Sequence, residues 1–243
     1  GACMVICEQP RLREFDPGCA QTARLASLGF MVAGVCHEVA NPLTAIHSMV
    51  QLLQSARPLP PETLERGLAN IAANVRRVLN ITRKLNDFSR TGSKDKTPLC
   101  LDRPISEALQ NVQQDSLFHD IEVVQQSGQE LWITGDSDQL AQVFVNIFLN
   151  AAQAMNGEGR LTLAVRRLDP SHAEIVIRDS GPGIAPGHLQ RLFEPFFTTK
   201  LAGQGTGLGL AISNEIVIEH GGSLRAENHP AGGACFYVTL PLH

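Results

Sequence analysis

The first third of the chain carries a repeating apolar seam that is typical of packed helices. Between Leu25 and Val39 the apolar residues follow one another at steps of three, four, three and four, the spacing of a helix face that contacts partner helices. The seam resumes after Pro42, and a second seam follows Arg57–Pro61, a Pro-rich segment that cannot continue a helix. The seam positions are Leu25, Leu28, Val32, Val35, Val39, Leu43, Ile46, Val50 and Leu53, then Leu64, Leu68, Ile71, Val75 and Val78. This pattern predicts an antiparallel helical hairpin over residues 19–90, and residues 1–18 stay unassigned.

Two long helices alone are too thin to enclose a core. A first helix of about 38 residues would be about 57 Å long at about 1.5 Å per residue. The simplest way to bury both seams is to pair two hairpins. We therefore predict that the all-α hairpins of two copies form a four-helix bundle, which makes the protein a homodimer.

The sequence pattern changes beyond Ser89–Pro98 (SRTGSKDKTP), a polar segment with Gly and Pro that reads as a linker centred on residues 91–98. Residues 99–243 mix helical and strand patterns. Predicted helices are Arg103–Leu117, Ser137–Met155 and Gly207–His220; predicted strands are Ile121–Gln125, Leu131–Thr134, Arg160–Arg167, Glu174–Arg178, Gly222–Glu227 and Ala234–Leu240. Several strands adjoin without a helix between them, which favours an α+β two-layer sandwich with a mostly antiparallel or mixed sheet.

Composition excludes several function classes. With 24 acidic and 20 basic residues the net charge is −4, which argues against a nucleic-acid binder that works by bulk electrostatics. The longest apolar run, Phe30–Cys36, is far shorter than the ~18 residues that a membrane span needs, so we expect no membrane contact by this segment. Six cysteines without a CxxC pair favour a reducing compartment. We expect a cytoplasmic location, and leave open whether a longer protein is membrane-anchored.

His37 is the first candidate for chemistry. It takes the heptad position farthest from the seam, where it should be exposed, and Glu38 follows it directly. Asn41 lies one turn further on the same helix face, and Pro42 should bend the helix there. A carboxylate can keep one ring nitrogen protonated and leave the other lone pair free to attack. Taken alone, a solvated surface histidine is the simpler reading; a zinc-protease HExxH motif fails because Asn41 stands at the second ligand position.

Glycines form the second candidate site. Asp179 and the glycines Gly181 and Gly183 follow a predicted strand, and Gly203, Gly205, Gly207 and Gly209 surround the start of a helix. Neither cluster is a P-loop or a Rossmann fingerprint, but glycines allow close approach to a ligand and free helix amides suit phosphate. Asp179 could accept a hydrogen bond from an exocyclic amine such as that of adenine. Ordinary turns are the alternative for each cluster alone.

The third candidate is a pair of asparagines, Asn146 and Asn150, which are four residues apart on one face of a predicted helix. An amide oxygen is a hard ligand that suits Mg²⁺ carrying phosphate oxygens and water. The alternative is a polar helix surface or an interior hydrogen bond.

Taken together and in order, these segments resemble the catalytic core of bacterial two-component sensor histidine kinases over roughly Arg24 to Leu242. LASLGFMVAGVCHEVANPLTAI resembles the phosphoacceptor box of that family, and QLAQVFVNIFLNAAQAM its asparagine box. DSGPGI resembles the first glycine box of the family, and GTGLGLAI resembles the second. FEPFFTTK resembles the phenylalanine box, and HGG at His220–Gly222 resembles the closing turn.

The resemblance implies a role for each matching residue. His37 would be the phosphoacceptor, Glu38 its activating base, and Asn41 the residue that orients water against a phosphorylated partner. ATP and Mg²⁺ would be the cofactors, and Asn150 would be the metal ligand. Asn146 stands at the position where related gyrase-type ATPases carry a glutamate base. The other residues implied to bind the nucleotide are Asp179, Gly181, Gly183, Ile184, Phe193, Lys200, Gly205, Thr206, Gly207, Leu208 and Gly209. Phe193, Phe196 and Phe197 would anchor one end of a nucleotide-ordered lid, Thr198–Gly205.

The implied function is autophosphorylation of His37 by ATP and transfer of the phosphoryl group to an aspartate in the receiver domain of a response regulator. Response-regulator phosphatase activity stays open beside it. One departure from the family pattern is Gln153, since many members have a basic residue three positions after the metal asparagine. The alternatives are an ATPase clamp of the gyrase superfamily, which would need a glutamate near Asn146, and a degenerate dimeric scaffold, which would have lost His37 or Asn150.

Overall fold

A computed structural model describes most of the chain beyond the first candidate site. The described residues are 39–55, 60–89, 96–126, 130–200, 205 and 207–243. They belong to two compact units, Gly1–Val75 and Arg76–His243. His37 and Glu38 lie outside the described residues, as do Thr206 and most of the predicted linker.

The first unit is helical, as the seams predict. Helix α1 is described over residues 39–55, and α2 spans Pro61–Ser89, so that α2 continues into the second unit from Arg76. Proline is well suited to the first helical position, and the carbonyl of Pro60 accepts the first amides of the helix, from Thr63 at 3.0 Å and Leu64 at 3.2 Å. A Cβ on Gly67 would lie 2.9 Å from Leu53 Cδ2, so glycine allows the two helices of the hairpin to approach closely. None of the helices in the described part of the chain is long and apolar enough to cross a membrane.

Large apolar side chains remain on the surface of this hairpin. Seam residues Leu43, Leu64, Leu68 and Val75 are 49%, 44%, 54% and 42% exposed in the single chain. Apolar residues repeated along one helical seam normally pack against another helix. The exposed seam therefore fits a hairpin that packs against another helical surface.

The second unit is a two-layer α+β sandwich built on a mixed sheet. The five-stranded sheet has the order β2-β4-β5-β7-β6, and β1 pairs with β3 in a separate two-stranded sheet. Only the pairing of β2 with β4 is parallel among the described strands. The strands are β1 Thr97–Cys100, β2 Asp120–Gln126, β3 Trp132–Gly135, β4 Glu158–Asp169, β5 His172–Asp179, β6 Ser223–Asn228 and β7 Ala234–Pro241; the helices are α3 Asp102–Gln113, α4 Ser137–Ala154, α5 Pro186–Leu189 and α6 Gly209–Glu219, with a 3₁₀ turn at Ser116–Phe118.

The core lies between one face of the sheet and the helices α3, α4 and α6, with α4 packed against both other helices. Alternate residues of the central strands point into it, as the period of a half-buried strand requires. The largest fully buried side chains of α4 are Phe144, Ile147 and Phe148, which face this layer. The opposite face of α4 is thereby left to carry the asparagines.

Ion pairs cover the outer face of the sheet. Glu174 is 1% exposed and lies between two guanidinium groups, accepting from Arg166 Nε at 2.9 Å and from Arg225 Nη2 at 3.2 Å. The Arg225 guanidinium also stacks 3.6 Å from the centre of the Tyr237 ring. The Tyr237 hydroxyl donates to Glu227, and this hydrogen bond raises the pKa of Tyr237 to about 12.

Three segments differ from the sequence-based prediction, and one of them is the short helix α5, which was not predicted. The predicted helix Arg103–Leu117 ends at Gln113, because Asp115 caps a separate 3₁₀ turn by accepting the amide of Leu117 at 3.0 Å. The short strand β1 begins at Thr97, within the segment that reads as a linker, and is set by its pairing with β3. Such pairing over a long sequence distance leaves no local signal in four residues.

Candidate active site

Helix α4 is fixed at its N-terminus by a cap and a buried histidine. Asp136 Oδ1 accepts the amides of Asp138 at 2.9 Å and Gln139 at 3.3 Å, which satisfies two of the otherwise unpaired amides of the first turn. The Asp136 amide itself donates to Nε2 of His220 at 3.0 Å. These bonds set the position of the helix that carries Asn146 and Asn150.

His220 is a structural residue rather than a ligand. Its Nδ1 lies 2.7 Å from the Ile216 carbonyl, so Nδ1 carries the proton and Nε2 is the acceptor for Asp136. The side chain is buried, and burial lowers the pKa of His220 below its ordinary value of 6.5. This neutral ring joins the end of α6 to the start of α4.

A cavity of about 890 Å³ opens beside α4, α6 and the end of β5. Its size suits a nucleotide-sized ligand. Nine of the residues that the sequence implied as nucleotide ligands line it, namely Asn146, Asn150, Asp179, Gly183, Ile184, Lys200, Gly205, Gly207 and Gly209. The chain segments that carry them are far apart in sequence and meet only at this cavity.

Asp179 presents a fixed carboxylate at the cavity. The side chain is 3% exposed, and its Oδ1 accepts the amides of Gly181 at 2.9 Å and Ala234 at 3.0 Å. Among the described residues Oδ2 has no such partner, so it is the atom left to accept from a ligand. A Cβ on Gly233 would lie only 1.9 Å from the Asp179 carbonyl oxygen, so this close backbone approach requires glycine.

The two asparagines of α4 have different surroundings. Asn146 Nδ2 donates to the Gly209 carbonyl at 3.2 Å and to Ser213 Oγ at 3.3 Å, which ties α4 to α6. Asn150 Oδ1 instead accepts from Lys200 Nζ at 2.9 Å. Lys200 also donates to Gln153 Oε1, so one ammonium bridges the two amide oxygens.

The phenylalanine segment is held against the second glycine segment. Phe196 has a φ of 65°, in the left-handed region, and its amide donates to the Gly207 carbonyl at 3.0 Å. Gly207 has a φ of 64°, and a Cβ there would lie 2.3 Å from the Phe196 carbonyl carbon. The ring of Phe197 lines the cavity, 5.4 Å from the ring of His188 and 4.6 Å from the Arg191 guanidinium.

Two family models match the chain and divide it as the motifs do. Residues 27–94 match the His Kinase A (phospho-acceptor) domain, and residues 135–243 match the histidine kinase-, DNA gyrase B- and HSP90-like ATPase family. The first match contains His37, and the second contains all the residues that line the cavity except Leu117. The chain belongs to the sensor histidine kinases.

Two sensor histidine kinases are similar in sequence to this kinase core. The signal transduction histidine-protein kinase AtoS of Escherichia coli strain K12 is 35% identical over 246 residues, which cover 100% of this chain and 40% of AtoS. The sensor histidine kinase ZraS of Klebsiella oxytoca is 33% identical over 95% of this chain and 50% of ZraS. The chain therefore spans half or less of the length of these two relatives.

Solved histidine kinases share the fold. The crystal structure of the kinase ThkA in complex with the response regulator protein TrrA matches 91% of this chain and 64% of the ThkA chain, with a TM-score of 0.73 and 26% identity. The mycobacterial sensor histidine kinase MprB matches 61% of this chain and 98% of its own, with a TM-score of 0.56 and 34% identity. The prediction of a helical hairpin followed by an α+β ATP-binding domain is confirmed.

The other predicted site residues that the structure describes do not line the cavity. Phe193 packs against the core, Leu208 is buried, and Gly181 contributes its amide to Asp179 instead. Asn41 is exposed on α1. His37, Glu38 and Thr206 lie outside the described residues, so their roles stay predictions.

Several cavity residues were absent from the sequence-based set. His188, Leu192 and Leu117 line the cavity, and Asn228 supports the DSGPGI loop from outside it. None of these residues belongs to a glycine or asparagine motif, and only the fold brings them to the site.

The side chains around Asn150 suit a metal ion that is bound to the phosphates of a nucleotide, rather than one whose ligands all come from the protein. In the described part of the chain no three His, Cys, Asp or Glu side chains are grouped closely enough to hold a metal ion. Asn150 Oδ1 nevertheless already accepts a cation, the Lys200 ammonium, at the cavity. A single amide oxygen fits Mg²⁺, which keeps most of its ligands as waters and substrate phosphates.

Proposed function

We propose that this chain is the catalytic core of a kinase that binds ATP, transfers its terminal phosphoryl group to His37, and passes that group to an aspartate in the receiver domain of a response regulator. One observation carries the nucleotide part. A single cavity is lined both by a buried carboxylate, Asp179, and by an ammonium held on an amide oxygen, at Lys200 and Asn150. A purine amine needs the first group, and a charged triphosphate needs the second.

Asp179 would accept the exocyclic amine of adenine. Its Oδ1 is occupied by two backbone amides, which fixes the orientation of the carboxylate and points to Oδ2 as the ligand atom. Preorganisation of this kind reduces the entropy lost on binding. The match to a histidine kinase-like ATPase family over residues 135–243 supports ATP as the nucleotide.

Lys200 would bind the phosphates in place of the missing basic residue at Gln153. Its ammonium lies against Asn150 and Gln153, which places a positive charge on the α4 side of the cavity. An ammonium binds phosphate as a point charge, and its flexible stem lets it move from an amide to a ligand. Mg²⁺, held by Asn150, would neutralise charge on the transferring phosphate oxygens.

In the phosphoryl transfer, the lone pair of one His37 ring nitrogen would form a bond to the terminal phosphorus. The bond from that phosphorus to the bridging oxygen breaks, and its electron pair leaves with ADP. Glu38 would hold the proton on the other ring nitrogen and stabilise the developing positive charge. Catalysis then depends mainly on positioning.

The working unit is proposed to be a homodimer with a response regulator as its partner. The exposed seam residues of the hairpin support dimerisation, because pairing two hairpins would bury them. ThkA was solved with its response regulator TrrA, and a receiver domain is the corresponding partner proposed here. The need for ATP favours the cytoplasm, and the net charge of −4 favours no nucleic-acid partner.

A second activity, dephosphorylation of the partner, is favoured by Asn41. Its side chain is exposed on α1, four residues after His37 in the sequence, where an amide could orient water. A relative from Mycobacterium avium, 33% identical over 87% of this chain, is named as a kinase/phosphatase. Asn41→Ala should slow loss of label from a phosphorylated receiver while leaving labelling of the kinase intact.

Labelled ATP tests the proposal. The chain should retain label from γ-³²P-ATP and none from α-³²P-ATP, and the retained label should be labile in acid and stable in alkali, as a phosphoramidate is. Steady release of inorganic phosphate without a labelled chain would instead indicate an ATPase clamp.

A further inference from the structure

The turn between β6 and β7 holds both ends of the DSGPGI loop. At one end, the Ala234 amide donates to Asp179 Oδ1 at 3.0 Å. At the other end, Asn228 makes two hydrogen bonds with the main chain of a single residue, Ile184. Asn228 Oδ1 accepts the Ile184 amide at 2.7 Å, and Asn228 Nδ2 donates to the Ile184 carbonyl at 2.6 Å. The Asn228 side-chain amide thus makes the two hydrogen bonds with Ile184 that the main chain of a neighbouring strand would otherwise make.

These bonds fix the part of the loop that borders the cavity. Gly183 and Ile184 both line it, and Gly183 has a φ of 79°. A Cβ on Gly183 would lie 2.7 Å from Asn228 Oδ1, so the amide packs directly against the glycine. Movement of Asn228 would therefore change the distance between this main-chain segment and the carboxylate of Asp179.

The turn itself is braced. The His229 amide donates to the Gly233 carbonyl, and the Gly232 amide to the His229 carbonyl, both at 2.9 Å. Arg178 Nη2, from the neighbouring strand β5, donates to the Gly232 carbonyl at 3.2 Å. A rigid turn can serve as a template for the loop that it contacts.

We infer that Asn228 is a positioning residue for purine selection, because it holds Gly183 and Ile184 at a fixed distance from the Asp179 carboxylate. This inference rests on the proposed binding of adenine to Asp179. A fixed distance between these two residues and the carboxylate allows the base to lie in the plane in which its amine meets Asp179. If that distance varied, the amine and the carboxylate would no longer be aligned. The substrate class is thus an adenine nucleotide, and the predicted effect is on discrimination against guanine.

Binding and turnover measurements on Asn228→Ala test this role. The Kd for ATP should rise about tenfold, the value of one to two net hydrogen bonds, whereas the Kd for GTP should change by less than about twofold. The loss should appear in the Kd for ATP rather than in the labelling rate at saturating ATP, because Asn228 makes its hydrogen bonds to the main chain of Ile184. Hydrogen exchange of the Ile184 amide should become faster.

Two further variants keep the test interpretable. Asn228→Asp retains the acceptor for the Ile184 amide but sets a carboxylate oxygen against the Ile184 carbonyl, so it should weaken ATP binding at least as much as Asn228→Ala does. It is also the variant to measure should the alanine form not fold. Ser171→Ala removes the hydrogen bonds that the Ser171 hydroxyl makes with Asp169 Oδ1 and His172 Nδ1 in the β4–β5 turn, and should leave both Kd values unchanged.

The outcomes separate this inference from the proposed function. An ATP Kd within about twofold of wild type in both Asn228 variants, or equal weakening of ATP and GTP, would overturn the role of Asn228 while leaving the kinase proposal standing. A wild-type chain that binds ATP no better than GTP would overturn the adenine assignment of Asp179, and the inference with it.

Discussion

Replacing the carboxylate of Asp179 by an amide should reverse the purine preference of the cavity. Asp179→Asn keeps the shape of the side chain, and its amide oxygen can still accept the two backbone amides that Asp179 Oδ1 accepts at 2.9 and 3.0 Å. The amide nitrogen then takes the place of Oδ2. A position that accepts a hydrogen bond thereby becomes one that donates, while the fold keeps its internal hydrogen bonds.

The size of the effect on ATP follows from two losses. The lost hydrogen bond to a charged group contributes about 1.5–3 kcal/mol. In the variant the adenine amine also faces the new side-chain NH₂, and leaving these buried donors without an acceptor costs about 1–3 kcal/mol. Because Asp179 is 3% exposed, water cannot replace the missing acceptor. A combined loss of about 3–5 kcal/mol corresponds to a rise in Kd between about 10² and 10⁴-fold. Guanine presents a carbonyl oxygen in place of the amine, so GTP should bind more tightly than to wild type.

Isothermal titration with ATP and GTP measures both changes, with thermal unfolding to verify the fold. Asp169→Asn is a matched control, since Asp169 is an exposed turn residue whose pKa is lowered to about 2 by hydrogen bonds from Ser171. The control should leave both affinities unchanged. Equal weakening of the two nucleotides by Asp179→Asn, or an unchanged Kd for ATP, would refute the assignment of Asp179 to the adenine amine.

Three further predictions concern the phosphates, the glycine segment and pH. Lys200→Gln should raise the Kd for ATP about 10- to 100-fold and that for adenosine far less, by loss of a charge-assisted bond; equal effects on both ligands in titration would contradict a phosphate role. Gly207→Ala should lower the Tm, because its φ is 64° and its Cβ would lie 2.3 Å from Phe196, whereas Gly187→Ala, in open space, should not. Burial lowers the pKa of His220 below 6.5, so the unfolded chain binds a proton that the folded chain does not. The contribution of His220 to stability is therefore complete above pH 6.5 and declines as the pH falls below it; the Tm difference between pH 7.5 and 6 should shrink in His220→Gln, and an unchanged difference would contradict this.

The helix that carries the asparagines could be predicted nearly to the residue. The sequence predicts Ser137–Met155 and the structure has Ser137–Ala154, because local signals fix both ends. Asp136 caps the start, and the chain leaves the helix through Asn156 and Gly157, which have φ values of 54° and 83°. The apolar stripe of Val143, Ile147 and Ala151 is buried, as its spacing requires, which turns Asn146 and Asn150 towards the cavity.

Other features depend on contacts between distant segments and had no local signal. The parallel pairing of β2 with β4 is set by packing, not by the pattern of either strand. Lys200 was implied as a phosphate ligand, but its position beside Gln153 follows only from the fold. Asn228 belongs to no motif, and its two bonds to Ile184 span 44 residues.

The proposed function depends on transfer of the terminal phosphoryl group of ATP to His37. Mass spectrometry of the chain after incubation with ATP should place a phosphoryl group on His37, and His37→Gln should abolish γ-³²P labelling while retaining the wild-type Kd for ATP. His47→Gln, which removes an exposed histidine of α1, should leave labelling intact. Label that persists in His37→Gln, or that maps to another residue, would contradict the account.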